Sequence, residues 1–209
     1  MTALADPSKI SVDLYYDYRS PYAYFLSRFL PDFAAQRSLN VCWRPVSVSI
    51  LLNLQVDKDP WAAYEDPLPP IKRAYLLSDV RRRARYLNIP LKTPASLNSL
   101  SALKVSLLLK DDPVEPVFRE RVWHALWVEQ RDVSDLDVLR RCVEGEDKNA
   151  IQRVEQALDA ASPQPVETAS LDAFRAGIFG VPSFKYGDEV LFGSDQLPLL
   201  DRMLTATRR

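Results

Sequence analysis

With 209 residues, 47% of them hydrophobic and 26% charged, the chain can bury a sizeable core, which excludes a disordered polypeptide. A formal net charge of −1 and a pI near 5.9 supply no global basic field for nucleic acid or an anionic membrane, so any anionic ligand must be held locally. Two isolated cysteines, Cys42 and Cys142, and a single histidine, His124, are too few for a Cys/His zinc site and predict two packed thiols.

The opening "MTALADPSKI" has no basic segment leading into an apolar run, and no later stretch approaches about 18 uninterrupted apolar residues, so a soluble cytoplasmic protein is expected. Residues 10 to 16, "ISVDLYY", alternate with the period-2 pattern of a strand. Ser20 and Pro21 then open a helix, Pro21 fitting the first turn, with Tyr22, Phe25, Leu26, Phe29, Leu30 and Phe33 on one apolar face. Pro31 falls inside that pattern and is expected to kink or shorten it. "VCWRPV", residues 41 to 46, reads as a second strand.

A Pro-rich connection follows, "DPWAAYEDPLPPIK", with prolines at 60, 67, 69 and 70. Beyond it the pattern is helical over about 71–87, 97–110, 114–130, 135–144 and 147–161, with Ser134 as the expected N-cap of the fourth segment. "ASLDAFRAGIFG" is a further helix, stopped by Gly177 and Gly180. The end of the chain reads as strand 183–186, a Gly187-Asp188 turn, strand 189–193 and a last helix begun near Ser194. The element order β-α-β then α-β-β-α predicts an α/β thioredoxin-like fold, from about 8–50 and 167–209, interrupted by an all-helical insertion from about 55 to 165.

Within that frame "GIFGVPSF" places Pro182 directly before a strand, where its missing N–H costs the ladder nothing. In thioredoxin-like folds this proline is cis and leaves the backbone of the preceding residue, here Val181, free to pair with a peptide ligand. Ser20 stands at a helix start, where unpaired N–H groups and the positive end of the helix dipole favour an anion; by itself a serine there is an N-cap. His124, between Trp123 and Trp127, is expected to pack partly buried, and "RRRAR" at 81–85 to be a solvated helix face. Tyr15, Tyr16, Tyr18, Tyr22 and Tyr24 fit either a core or the walls of an aromatic site.

The segments "YYDYRSPYAYF", "RPV", "LWVEQRDVSDLDVL", "GIFGVPSF" and "LFGSDQLPLL" together resemble the 2-hydroxychromene-2-carboxylate isomerases, relatives of the kappa-class glutathione transferases in the DsbA-like thioredoxin superfamily. The resemblance covers nearly the whole chain. Where the oxidoreductases of that superfamily carry C-x-x-C, this chain has Ser20-Pro21-Tyr22-Ala23, so disulfide exchange lacks its nucleophile. The resemblance implies that glutathione supplies the thiol, with Ser20 as the catalytic residue that hydrogen-bonds its sulfur.

It further implies glutathione contacts from Val181 and Pro182, and from Ser194 and Asp195, whose carboxylate faces the γ-glutamyl ammonium. Asn53 and Lys72 correspond to polar residues over the active site, although the glycine usual shortly after the asparagine is absent and the Pro-rich connection is longer. The implied protein is a cytoplasmic homodimer acting on a small aromatic substrate, isomerising 2-hydroxychromene-2-carboxylate to trans-o-hydroxybenzylidenepyruvate in aromatic catabolism. A kappa-like transferase that conjugates electrophiles, or a non-catalytic DsbA-like binding protein, fits the same motifs.

Overall fold

The computed structural model describes residues 10–63, 68–146, 149–159 and 162–207. Pro67, the outermost residues of the expected helix 147–161, and the outer ends of the expected terminal segments lie outside them. Four strands form one sheet in the order β2-β1-β3-β4, with β1 Ile10–Tyr16, β2 Leu39–Pro45, β3 Ser183–Tyr186 and β4 Glu189–Phe192. Strand β1 pairs parallel with β2, Val12 opposite Val41, and antiparallel with β3, Leu14 opposite Phe184. The parallel pair needs a crossover, supplied by α1 Pro21–Gln36; the antiparallel β3–β4 pair needs only the tight turn at Gly187. This is the thioredoxin arrangement.

Pro31 lies inside α1, which runs unbroken for 16 residues. Its buried face, including Leu26 and Leu30, packs with Val12, Leu14 and Phe184 of the sheet and with Leu200 and Leu204 of α9 Leu197–Thr207. That burial outweighs the hydrogen bond the proline removes. A short helix α2, Val48–Leu54, follows β2 and was not anticipated, because seven residues carry too little periodicity. Ser47 caps it, its Oγ accepting from the Ile50 N–H.

Helices α3 Pro70–Tyr86, α4 Leu100–Leu108, α5 Glu115–Trp127, α6 Leu136–Arg141 and α7 Ala150–Asp159 lie between α2 and α8 Gln164–Arg175. Asp135, not Ser134, caps α6: the Asp135 carboxylate accepts from the Asp137 N–H, while Ser134 donates to Asp132. The carboxylate of Asp132 captured both the hydroxyl and the N–H of Ser134, leaving the cap to its neighbour. The core of this helical region is shared with the thioredoxin part. Tyr16, Tyr18 and Phe25 belong to the same buried cluster as Phe118, Val122 and Trp123. Tyr16, Tyr18, Trp43 and Trp123 meet edge to face or tilted, with ring centroids 5.2 to 5.7 Å apart. The segment that ends at Ser20 is therefore braced from below by the insertion.

Candidate active site

Ser20 sits where β1 hands over to α1. Its backbone is extended, with φ −85° and ψ 112°, and its Oγ accepts from the Ala23 N–H at 3.3 Å, which makes it the N-cap. The same hydroxyl donates to the Val181 carbonyl at 3.4 Å. Both bonds are long, so the hydroxyl gives up little by rotating toward a new acceptor. Pro21 has no N–H and the Tyr22 N–H has no partner among the described residues, so an unpaired donor and the positive helix end coincide beside Ser20. Ser20 is only 8% exposed, which keeps competing water sparse.

The Val181–Pro182 peptide is cis, in keeping with the sequence expectation. The Pro182 carbonyl accepts from the Gly193 N–H at 2.9 Å, bringing the turn after β4 against the proline. Gly193 has φ +110°, and a Cβ there would stand 2.5 Å from Asp195 Oδ1, so glycine is required for this turn to fold its carboxylate back. Ser194 and Asp195 begin a 3-10 turn, Ser194–Gln196, packed on α1. Ser20, Val181, Pro182, Ser194 and Asp195 are thereby assembled on one face, with Asp195 exposed to solvent.

Asn53 and Lys72 approach differently. Asn53 is buried on α2, and its side-chain amide donates to the carbonyls of Pro60 at 3.2 Å and Ala62 at 2.9 Å. Both amide hydrogens thus hold the loop after α2, and the Oδ1 remains for other work. Lys72 is exposed in the first turn of α3.

Asp17 organises the site. It is 1% exposed and accepts from the Ser99 hydroxyl at 2.6 Å, the Val48 N–H at 2.9 Å and the Arg19 N–H at 3.1 Å. Burial raises its pKa, and the three donors oppose that rise. One carboxylate therefore ties the Ser20 loop to the start of α2 and to the start of α4. At its other end α2 is tied by Gln55, whose amide donates to the Phe179 carbonyl at 2.7 Å. No sequence signal marks Asp17, because its partners lie up to 82 residues away.

A second unanticipated group is Tyr22, Asp79 and Arg83. The Tyr22 hydroxyl donates to Asp79 Oδ2 at 3.0 Å, Arg83 Nε donates to the same oxygen at 2.7 Å, and the Arg83 guanidinium lies 5.5 Å from the Tyr22 ring centre. Burial pushes the Asp79 carboxyl up, but the bonds from Arg83 and Tyr22 outweigh it and hold the group below the usual carboxylate range. Burial and the Asp79 charge push Tyr22 up to about 12. Of the run 81–85, all four arginines are exposed as expected and Ala84 is buried, with the Arg83 guanidinium also meeting the Tyr22 ring of α1. The Asp79/Arg83 spacing of four residues was the available signal.

Other candidates lie elsewhere. His124 is exposed, with Nδ1 3.3 Å from a Glu129 carboxylate oxygen, which corrects the expectation of a packed histidine: α5 turns Val122, Trp123, Ala125 and Leu126 inward and His124 outward. Cys42 is half-buried on β2 and Cys142 is buried after α6, both as free thiols raised by burial, Cys142 to about 12. Neither is at the start of α1. Tyr16, Tyr18 and Tyr24 are buried core residues, and Tyr22 is half-buried. Among the described residues no group of three or more His, Cys, Asp or Glu side chains is placed to hold a metal, and no helix is long and apolar enough to cross a membrane.

A cis-proline loop facing a helix start on this sheet is the arrangement of the DSBA-like thioredoxin domain, whose family matches residues 11–205. The chain belongs to that family. Among DSBA-like relatives, the 2-hydroxychromene-2-carboxylate isomerase of Sphingobium xenophagum is 25% identical over 194 residues, covering 93% of this chain and 97% of that protein. The glutathione S-transferase kappa 1 of Homo sapiens is also 25% identical, over 95% of this chain and 92% of its own. The solved structure of a 2-hydroxychromene-2-carboxylate isomerase superposes with a TM-score of 0.77 at 21% identity, covering 96% of this chain and 97% of that one.

Proposed function

We propose that the chain is a cytoplasmic, homodimeric, glutathione-dependent isomerase that interconverts 2-hydroxychromene-2-carboxylate, or a related aromatic compound, with trans-o-hydroxybenzylidenepyruvate. The observation that carries this reading is the Ser20 hydroxyl, held at the start of α1 beside the Val181 carbonyl where oxidoreductases of the superfamily place a thiol. With both cysteines elsewhere, the nucleophilic sulfur must arrive with a cofactor. The relatives named above are isomerases and glutathione transferases, which supports glutathione as that cofactor.

The site has the means to ionise a bound thiol. A thiol with a pKa near 8.5 is only a few per cent thiolate at pH 7, and lowering it by about two units requires about 2.7 kcal/mol of preferential stabilisation. A charge-assisted hydrogen bond from Ser20, worth about 1.5–3 kcal/mol, and a helix-end contribution of about 0.3–1 kcal/mol suffice. Val181 would pair with the cysteinyl backbone beside Pro182, and Ser194 and Asp195 would hold the γ-glutamyl end. Asn53 and Lys72 would orient the substrate carboxylate or carbonyl.

The chromene is a cyclic hemiketal, so its ring C–O bond would open first, the hemiketal hydroxyl proton passing to the phenolic oxygen to leave the cis enone. Bound glutathione would supply a thiolate able to add reversibly at the benzylic carbon, leaving a single bond free to rotate before the sulfur departs unchanged, while Ser20 would hold that sulfur in its charged form. Glutathione is recovered and no oxidant is needed. An ultraviolet assay of the purified protein on the chromene, with and without glutathione, tests this. Turnover should require glutathione, and Ser20→Ala should lower kcat by about ten- to a hundredfold while weakening glutathione binding much less. Equal turnover without glutathione, or full activity in that variant, rejects the mechanism. The equal identity to a kappa transferase favours one second reading, conjugation of an electrophile, in which glutathione would be consumed.

A further inference from the structure

A strand turns successive side chains to opposite faces, so a cavity that touches five consecutive residues of one strand lies along its edge and not over a face. Residues 40 to 44 of β2 line such a cavity, of about 790 Å³, together with the corner where α4 passes into α5. Strand β2 is an outermost strand of the sheet, bonded to β1 alone. We propose that this edge is a docking groove for an extended segment of a partner protein, which enters as a further strand beside β2. None of the residues assigned to glutathione lines the groove, so the two sites stand or fall separately.

The register fixes which backbone groups the groove meets. In a parallel pair each residue turns its N–H and C=O to the same side, and the next residue turns its own to the other. Tyr16 is opposite Pro45, and its carbonyl accepts from the Val46 N–H at 3.0 Å, so the even-numbered residues of β2 bond to β1. Val41 and Trp43 therefore turn theirs outward, and none of these four groups has a partner among the described residues. Pro45, without an N–H, closes the row. A further donor stands beside them. Arg119 is only 8% exposed and lies 3.9 Å over the Trp43 ring; its Nη1 is 3.2 Å from a Glu115 carboxylate oxygen yet makes no hydrogen bond among the described residues. Arg119 lines the same cavity, within reach of a carbonyl placed there.

Charge and width select the occupant. The lining sets Arg44, Lys110 and Arg119 against Asp111, Asp112 and Glu115, three cations against three carboxylates, so the cavity favours neither an anion nor a cation. Arg44 is already paired with Asp13, and Asp112 with Arg153. The groups left unanswered are neutral main chain, which another main chain satisfies. Residues 40 to 44, at about 3.3 Å each, offer a run of about 17 Å. Opposite them Lys110 and Pro113 wall the cavity, which leaves room for one strand. The same corner on a second copy would meet this one before two β2 edges could pair.

The probe is a strand-forming peptide, fluorescein-Thr-Val-Thr-Val-Thr-amide, followed by fluorescence polarisation and located by hydrogen exchange. N-methylation of every second residue should change its binding by less than about twofold, because an added strand uses the N–H groups of one side only. N-methylation of every residue should weaken it by more than about tenfold. Bound peptide should slow exchange of the Val41 and Trp43 amides at least about tenfold and leave the opposite edge strand, β4, unchanged. Val41→Pro removes one outward N–H without touching the β1 ladder and should weaken the peptide about three- to tenfold. Undiminished binding of the fully N-methylated peptide, protection at β4 in place of β2, or no binding at millimolar peptide overturns the proposal. So does an unaltered chain that sediments as a dimer with its Val41 and Trp43 amides protected in the absence of peptide, which would give the edge to a second copy.

Discussion

Helices α5 and α3 belong to the same helical region and are held in opposite ways. Seven of the thirteen residues of α5 are buried, including Phe118, Trp123 and Trp127, and the Trp127 indole donates to the Tyr18 carbonyl at 2.9 Å. Of the seventeen residues of α3 only Asp79 and Ala84 are buried, while Ile71, Tyr75 and Tyr86 are exposed. The first helix is fixed by apolar burial and sets the shape of the Ser20 loop. The second adds to the small apolar contact of Val80 and Ala84 one buried carboxylate and its two donors, so much of its docking is local, polar and sensitive to pH.

That contrast predicts a large, global effect at α5 and small, local ones at α3. Trp123→Ala should cost about 3–5 kcal/mol in chemical denaturation, because it empties a core shared with Tyr16, Tyr18 and Trp43. A cost below about 1 kcal/mol would mean that the insertion does not brace the Ser20 loop. Asp79→Ala should reduce the protection of α3 amides in hydrogen exchange by about 1–3 kcal/mol, leaving Tyr22 and Arg83 unpaired, while α5 protection stays unchanged.

The unaltered protein should show a pH window for the same docking. Asp79 is depressed, so its contribution is present above the ordinary carboxylate pKa of about 4 and is lost as pH falls through its lower folded value. Tyr22 is raised, so its contribution is present below about pH 10 and is lost as pH climbs toward about 12. Protection of α3 that is flat from pH 3 to pH 11 would contradict the polar clamp. The smallest effect belongs to Tyr22→Phe, which keeps the ring under Arg83 and removes one part-buried hydrogen bond, at about 0.5–1.5 kcal/mol.

The same contrast explains what the sequence disclosed. Strands β1 and β3 were legible to the residue because alternation and turn glycines are local signals, and α1 was legible despite Pro31 because its apolar face repeats over four turns. Ser20, Pro182 and Asp195 stand out because each sits at an element boundary with a distinctive neighbour. Asp17, Asp79 and Arg83 do not: their roles come from bonds across 31 to 82 residues or from a helix face that carries four arginines in five positions. The Ser134 and His124 expectations failed for a related reason. A competing carboxylate and an outward helix face decided both positions, and neither is visible in a short window.

On the proposed function, Ser20 would stabilise a thiolate that it does not itself supply. Ultraviolet titration of thiolate absorbance for glutathione bound to the protein, compared between the unaltered chain and Ser20→Ala, measures it directly. The bound thiol should titrate about two units below the free value near 8.5, returning most of the way in the variant. A bound thiol that titrates like free glutathione, or a depressed pKa unchanged by Ser20→Ala, would contradict it.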